Sequence, residues 1–190
     1  MKNLIAAVLL LVCGSVQAAT ITIDFSDPNL PEQGLEEGFT TQGFSFTLFP
    51  VPIPVSPAYF IVGEQFIFCP GCNAAMENAN GEVFSFYSFD AEAASFPQPD
   101  DLNIAVTGFL AGGGTLVETF PLSSGSFQHY ELNWDGLIRV EFDPSISASI
   151  GYHFPTVIDN VVVSAVPIPA AVWLFGSGLG LLGWLRRRVS

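Results

Sequence analysis

The chain has 190 residues, a length that one domain accommodates, and carries five lysines and arginines against eighteen aspartates and glutamates, a formal net charge of -13. Arg139 is the only basic residue between Lys2 and Arg186, so the stretch holding all eighteen acids is 17 charges negative, eighteen acids less one arginine. That balance excludes nucleic-acid binding, which needs cations to displace phosphate counterions. Eighteen phenylalanines and 49% hydrophobic residues exclude a disordered chain.

The N-terminus reads MKNLIAAVLLLVCGSVQAAT. Lys2 makes a short positive region, Leu4 to Val12 an apolar run, and Val16-Gln17-Ala18 a small-residue cleavage site. Residues 1–19 are therefore expected to be a secretory signal peptide. A lipoprotein signal wants a small residue before its cysteine. Val12 precedes Cys13, so no lipidation is expected.

From Thr20 to Ala165 the pattern is that of short strands. TITIDF, GFSFTLF, YFIVGEQFIF, EVFSFYSFDAEAA, LNIAVTGFLAGG, GTLVETFPL, FQHYELN, LIRVEFD and TVIDNVVVSA alternate or run apolar, each bounded by Gly, Pro, Ser or Asn. AGGGT, Ala111 to Thr115, reads as a hairpin turn; no Lys-Ser/Thr follows it, so it is no phosphate loop. The expected fold is all-β, one β-sandwich or jelly-roll domain over residues 20–165. The segment PGCNAAMENANGE is the one stretch here that reads as able to open a short helix.

Cys69 and Cys72 lie in FCPGCN. Export to an oxidising compartment favours a disulfide between them. A thioredoxin-like site would need a βαβ context, which is missing. A zinc site would need two more ligands, and only His129 and His153 are present. Those histidines sit among aromatics in expected strands and read as structural. No nucleophile elbow, dinucleotide fingerprint, P-loop or zincin motif occurs. No catalytic residue is named, and the chain is not expected to be an enzyme. Exposed aromatic rings stack on sugars, and Tyr59, Tyr87, Tyr130, Trp134 and Tyr152 are the available platforms. Trp134, in ELNWDGL at an expected turn, is the leading ligand residue; the competing reading is that these rings fill the core.

The order of IDFSD, SFDAEAA, VTGFLAGGGTLVETFPL, FQHYEL and IDNVVVSA resembles secreted galactose-binding-like jelly rolls of the carbohydrate-binding-module type. In that architecture the first and last strands lie together and hold a structural calcium. By position the resemblance makes Asp24, Asp27 and Asp159 its ligand candidates, against the alternative of solvated acids at strand ends. No other cofactor is expected.

Val166 to Leu185 carries no charge, and Arg186, Arg187 and Arg188 follow. A helix over 170–185 would span about 24 Å, short but workable across a bilayer core of about 30 Å. The arginines would stop transfer and stay in the cytoplasm. VPIPAAVWLFGSGLGLLGWLRRR resembles the PEP-CTERM class of sorting tails, in its VPLPA-type variant. The matching parts are the motif Val166, Pro167, Ile168, Pro169 and Ala170, the run Trp173 to Gly178, and the basic end. Ile168 stands where the namesake motif has Glu.

The resemblance implies that residues 166–190 are read by exosortase, a membrane enzyme of Gram-negative bacteria. The protein would be anchored transiently in the inner membrane with its body outside, then cut and passed to the cell surface or released. Proteins of this kind are associated with biofilm matrix and exopolysaccharide. The body is then expected to be a carbohydrate-associated binding or structural module. A secreted enzyme on a polysaccharide and a ligand-free surface protein are the alternatives.

Overall fold

The computed structural model describes residues 19–30, 33–34, 38–50, 59–62, 65–68, 72–94, 102–144 and 155–165. The signal peptide up to residue 18, the motif Val166 to Ala170, the membrane helix 170–185, the basic end Arg186 to Arg188, Cys69, His153 and Tyr152 lie outside them. Thr20–Ala165 forms one compact unit.

Twelve strands build it: β1 Thr20–Ile23, β2 Gln33–Gly34, β3 Gly38–Thr41, β4 Phe44–Pro50, β5 Tyr59–Val62, β6 Gln65–Phe68, β7 Cys72–Asn78, β8 Phe84–Ala93, β9 Asn103–Leu110, β10 Thr115–Pro121, β11 Gln128–Pro144 and β12 Thr156–Ala165. No helix occurs among the described residues. The all-β expectation therefore holds for them. The hairpin expected at Ala111 to Thr115 joins β9 to β10, closed by Gly113 N to Leu110 O at 2.9 Å.

The hydrogen-bonded path is continuous: β2-β5-β6-β12-β8-β11-β7-β4-β3, with β1 on β12 and the β10–β9 hairpin on β11. It folds back on itself because β11 serves two layers. Its first half pairs with β8, from Gln128↔Ala91 to Leu137↔Phe84. Its second half lies between β7 and β9, with Val140 opposite both Met76 and Gly108. Layer A is thus β2-β5-β6-β12-β8 and the start of β11, with β1 in line with β6. Layer B is β3-β4-β7, the end of β11, β9 and β10. The result is a flattened, barrel-like sandwich.

Two strands were expected where β11 runs unbroken, with a turn at Trp134. The turn residues are there but serve as bulges. Three residues of β11 face two of β8 between Glu131 and Trp134, and again between Trp134 and Leu137. Asn133 (φ 54) and Gly136 (φ 75) supply the left-handed backbone that each extra residue needs. The bulges bend the strand from one layer into the other. A second difference is β7. Cys72–Asn78 is a strand bonded on both sides, to β4 and to β11, and this pairing overrides the helix-forming character of its Ala-Ala-Met-Glu.

The core lies between the layers and is aromatic. Phe25, Phe44, Phe46, Phe66, Phe84, Phe86, Phe89 and Phe142 are fully buried, each contributing about 1.5–3 kcal/mol by removal from water. Their rings bridge the layers edge to face: Phe44 to Phe84 at 5.3 Å and Phe86 to Phe142 at 6.0 Å. Inward parity in β8 switches from Phe84 and Phe86 to Phe89, Ala91 and Ala93. The switch matches the register shifts against both neighbours.

Candidate functional site

β1 and β12 do lie together, Thr20 opposite Ser164 and Ile23 opposite Val161. Asp24 follows β1 and is held by its own neighbourhood. Ser26 Oγ donates to Asp24 Oδ1 at 2.8 Å, and the Ser26 amide and Gln42 Nε2 each do so at 3.2 Å. The Ser26 bonds, hydroxyl first, hold this carboxyl below its ordinary value. Asp27 accepts from the Asn29 amide and side chain, both at 2.9 Å. Asp159 accepts from the Asn160 amide at 2.7 Å. Among the described residues no group of three Asp, Glu, His or Cys side chains is placed to hold a metal ion by side chains alone.

Cys72 is buried and disulfide-bonded. Tyr130 is buried. Its hydroxyl donates to the Pro121 carbonyl, and burial pushes its phenol up. Trp134 is 7% exposed and belongs to the core. Its ring packs on Gly108, where an added Cβ would meet Trp134 Cε3 at 2.8 Å. A ring so covered presents no open face for stacking, which corrects the expectation of Trp134 as a surface platform. The cause is plain alternation: β11 does not turn at Asn133, so Tyr130, Leu132 and Trp134 all share the inward parity.

His129 is exposed on the outer face of layer A. Its Nδ1 donates to Asp90 Oδ1 at 2.6 Å, and Asn160 Nδ2 donates to Asp90 Oδ2 at 2.9 Å. This clasp ties β11, β8 and β12 side by side.

The outer face of layer B carries what the sequence reading missed. Register sets its rows. Val117 on β10, Thr107 on β9, Glu141 on β11, Ala75 on β7 and Thr47 on β4 run across the sheet in one line. Thr115, Phe109 and Arg139 head a neighbouring row. On the other side of the first line, Asn73 is paired with Phe49. The middle of the face carries the small residues Ala75, Thr47 and Thr107; Ala75 is itself covered, at 1% exposure, and the two threonines are half-buried.

Arg139 stands over this floor. Its guanidinium carbon lies 4.8 Å from the Phe49 ring centre and 5.8 Å from that of Phe109, within cation–π range of both. Nη2 meets Glu141 Oε1 at 2.6 Å and Nη1 meets Glu77 Oε1 at 3.4 Å. The two ring centres are therefore at most about 11 Å apart, the sum of those distances. Phe49 is 40% exposed and Val117, at the far edge, 61%. Exposed apolar surface of this kind, framed by a fixed pattern of donors and acceptors, is the usual form of a recognition face.

A sequence signal for this face existed. β4 buries Phe44, Phe46 and Leu48, so Phe49 falls on the outward parity where a polar residue belongs. β9 buries Ile104, Val106 and Gly108, which puts Phe109 outward in the same way. The lone internal cation pointed to the third member.

No protein-family model matches the sequence, and no curated protein matches it. Solved structures do. A family 29 carbohydrate binding module complexed with mannohexaose is 15% identical, with a TM-score of 0.50 over 78% of this chain and 93% of that one. Another structure of that module, complexed with cellulohexaose, is 16% identical, with a TM-score of 0.50 over 79% and 93%. A family 29 module from Piromyces equi is 11% identical, with a TM-score of 0.51 over 80% and 93%. At these identities the likeness is one of backbone architecture. What this chain shares with those carbohydrate binding modules is their β-sandwich fold.

Proposed function

We propose that the body is a carbohydrate-binding module, carried by an exported protein that exosortase sorts to the cell surface or extracellular matrix through residues 166–190. The observation that supports the binding role is the Phe49–Arg139–Phe109 arrangement on the outer face of layer B. An apolar sugar face stacks on such rings. Sugar hydroxyls both donate and accept, so they match a face where guanidinium N–H groups alternate with the Glu77 and Glu141 oxygens. Nothing in this reading calls for turnover. The module holds a polysaccharide and leaves it unchanged.

The test is affinity electrophoresis through gels containing soluble polysaccharide. Retardation of the wild-type chain should fall about 5- to 30-fold in affinity for Phe49→Ala and for Phe109→Ala, the usual loss when a central aromatic contact is truncated. Retardation that survives both changes sinks the assignment of this face. Release of reducing ends during incubation would instead make the chain an enzyme. The sorting role is read from the intact mass of the protein recovered from its host. A mass ending near Pro167 to Ala170, seen only when exosortase is present, supports it. An uncut chain in both strains removes it.

A further inference from the structure

The electrostatics of the same face narrow its ligand, given the carbohydrate reading above. Arg139 is the one cation between residues 3 and 185. Both of its terminal nitrogens are paired, one with Glu141 and the other with Glu77, the Phe49 and Phe109 rings flank the guanidinium, and Nε, which has no hydrogen-bond partner, is buried away from any ligand. Arg139, Glu77 and Glu141 together carry one net negative charge. Asp143, exposed and opposite Ala105 on the same face, adds another. A carboxylate or sulfate brought to this floor finds no unpaired cation and meets at least one uncompensated like charge.

We propose that the face selects an uncharged glycan strand and rejects polyanionic polysaccharides, with Glu77 and Glu141 as the residues that set this choice. They do so by neutralising Arg139, which alone would attract an acidic sugar. One net like charge at about 5 Å weakens binding roughly 4- to 300-fold, from a water-like to a surface-like dielectric. An uncharged sugar pays no such penalty, and its hydroxyls donate to the same carboxylates.

The experiment uses the full chain in a non-ionic detergent without a sugar headgroup. It is run in gels containing glucomannan, hydroxyethyl cellulose or alginate. Retardation is expected with one or both neutral polymers, and binding to alginate at least about tenfold weaker. The double variant Glu77→Gln with Glu141→Gln frees the guanidinium, and should gain alginate binding so that the neutral-to-acidic ratio falls by about tenfold or more. Should that variant not fold, ionic strength reads the same effect in the wild type. Exclusion of alginate should relax between ~10 mM and ~1 M salt, as the screening length falls from about 30 Å to about 3 Å. Equal or stronger retardation by alginate overturns the inference and leaves the carbohydrate reading in place. So does a ratio that neither the double change nor salt moves. Retardation by none of the polymers removes the carbohydrate reading itself, and this inference with it.

Discussion

Gly108 is where the core and the candidate face meet, and Gly108→Ala tests both. The new methyl would sit 2.8 Å from Trp134 Cε3 and 2.9 Å from Leu137 Cδ2, and both side chains are themselves buried. Neither has room to withdraw, so overpacking should cost about 1–3 kcal/mol. Against this stands a gain of about 0.4–1 kcal/mol from stiffening the unfolded chain, because the backbone at 108 needs no left-handed conformation. The net loss is about 1–2 kcal/mol, which lowers Tm by about 3–8 °C in a domain of this size. Thermal melts followed by tryptophan fluorescence read it directly, since Trp134 is the only tryptophan between residues 20 and 165. The emission of the folded variant should shift as the indole is pushed off its seat. Phe109 is the next residue of β9, so glycan retardation should weaken as well. A variant melting within about 1 °C of wild type with an unchanged spectrum would refute the packing argument.

Glu92 offers a test of sign. Burial raises its carboxyl above the ordinary value of 4.5, which means the folded state disfavours its charge. The associated stability is fully present below that ordinary value and is lost as pH rises through the raised one. Glu92→Gln should therefore melt higher than wild type at pH 7 and no higher below pH 4.5, as read by melts at both pH values. Asp90→Ala strips the acceptor from His129 and Asn160 on the opposite face. It should cost about 1 kcal/mol in denaturant melts and leave glycan retardation as in wild type. Lost retardation would move the binding face to layer A.

The strand content of this chain was legible because most strands alternate and are punctuated by Gly, Pro or Asn. The pairing of β1 with β12, by contrast, came from a resemblance rather than from any local pattern. The errors have one origin, which is that turn and helix signals are local while pairing is not. Asn133 and Gly136 carry turn chemistry, yet β8 continues beside them, so they become bulges in an unbroken strand whose alternation from Tyr130 and Leu132 keeps Trp134 inward. Ala74 to Glu77 favour a helix in isolation, but two neighbouring strands claim their backbone. The candidate face was hidden differently. Phe49, Phe109 and Arg139 are far apart in sequence, on β4, β9 and β11. Only register brings them together. Outward parity flagged each phenylalanine singly, and nothing local says that both flank the same arginine.

The place of β12 bears on how the module would carry load. It is an interior strand, bonded to β8 along its length on one side and to β6 and then β1 on the other. Tension applied at residue 165 therefore pulls along a strand whose hydrogen bonds on both flanks resist in shear. They must fail together rather than unzip from a free edge. Forced unfolding is governed by the rate of crossing that barrier, not by equilibrium stability. β1, with β12 as its partner among the described residues, is held over four residue pairs on one side, so a pull from residue 20 loads a shorter ladder. A load borne at residue 165 would thus meet the longer of the two hydrogen-bonded ladders at which the described body begins and ends.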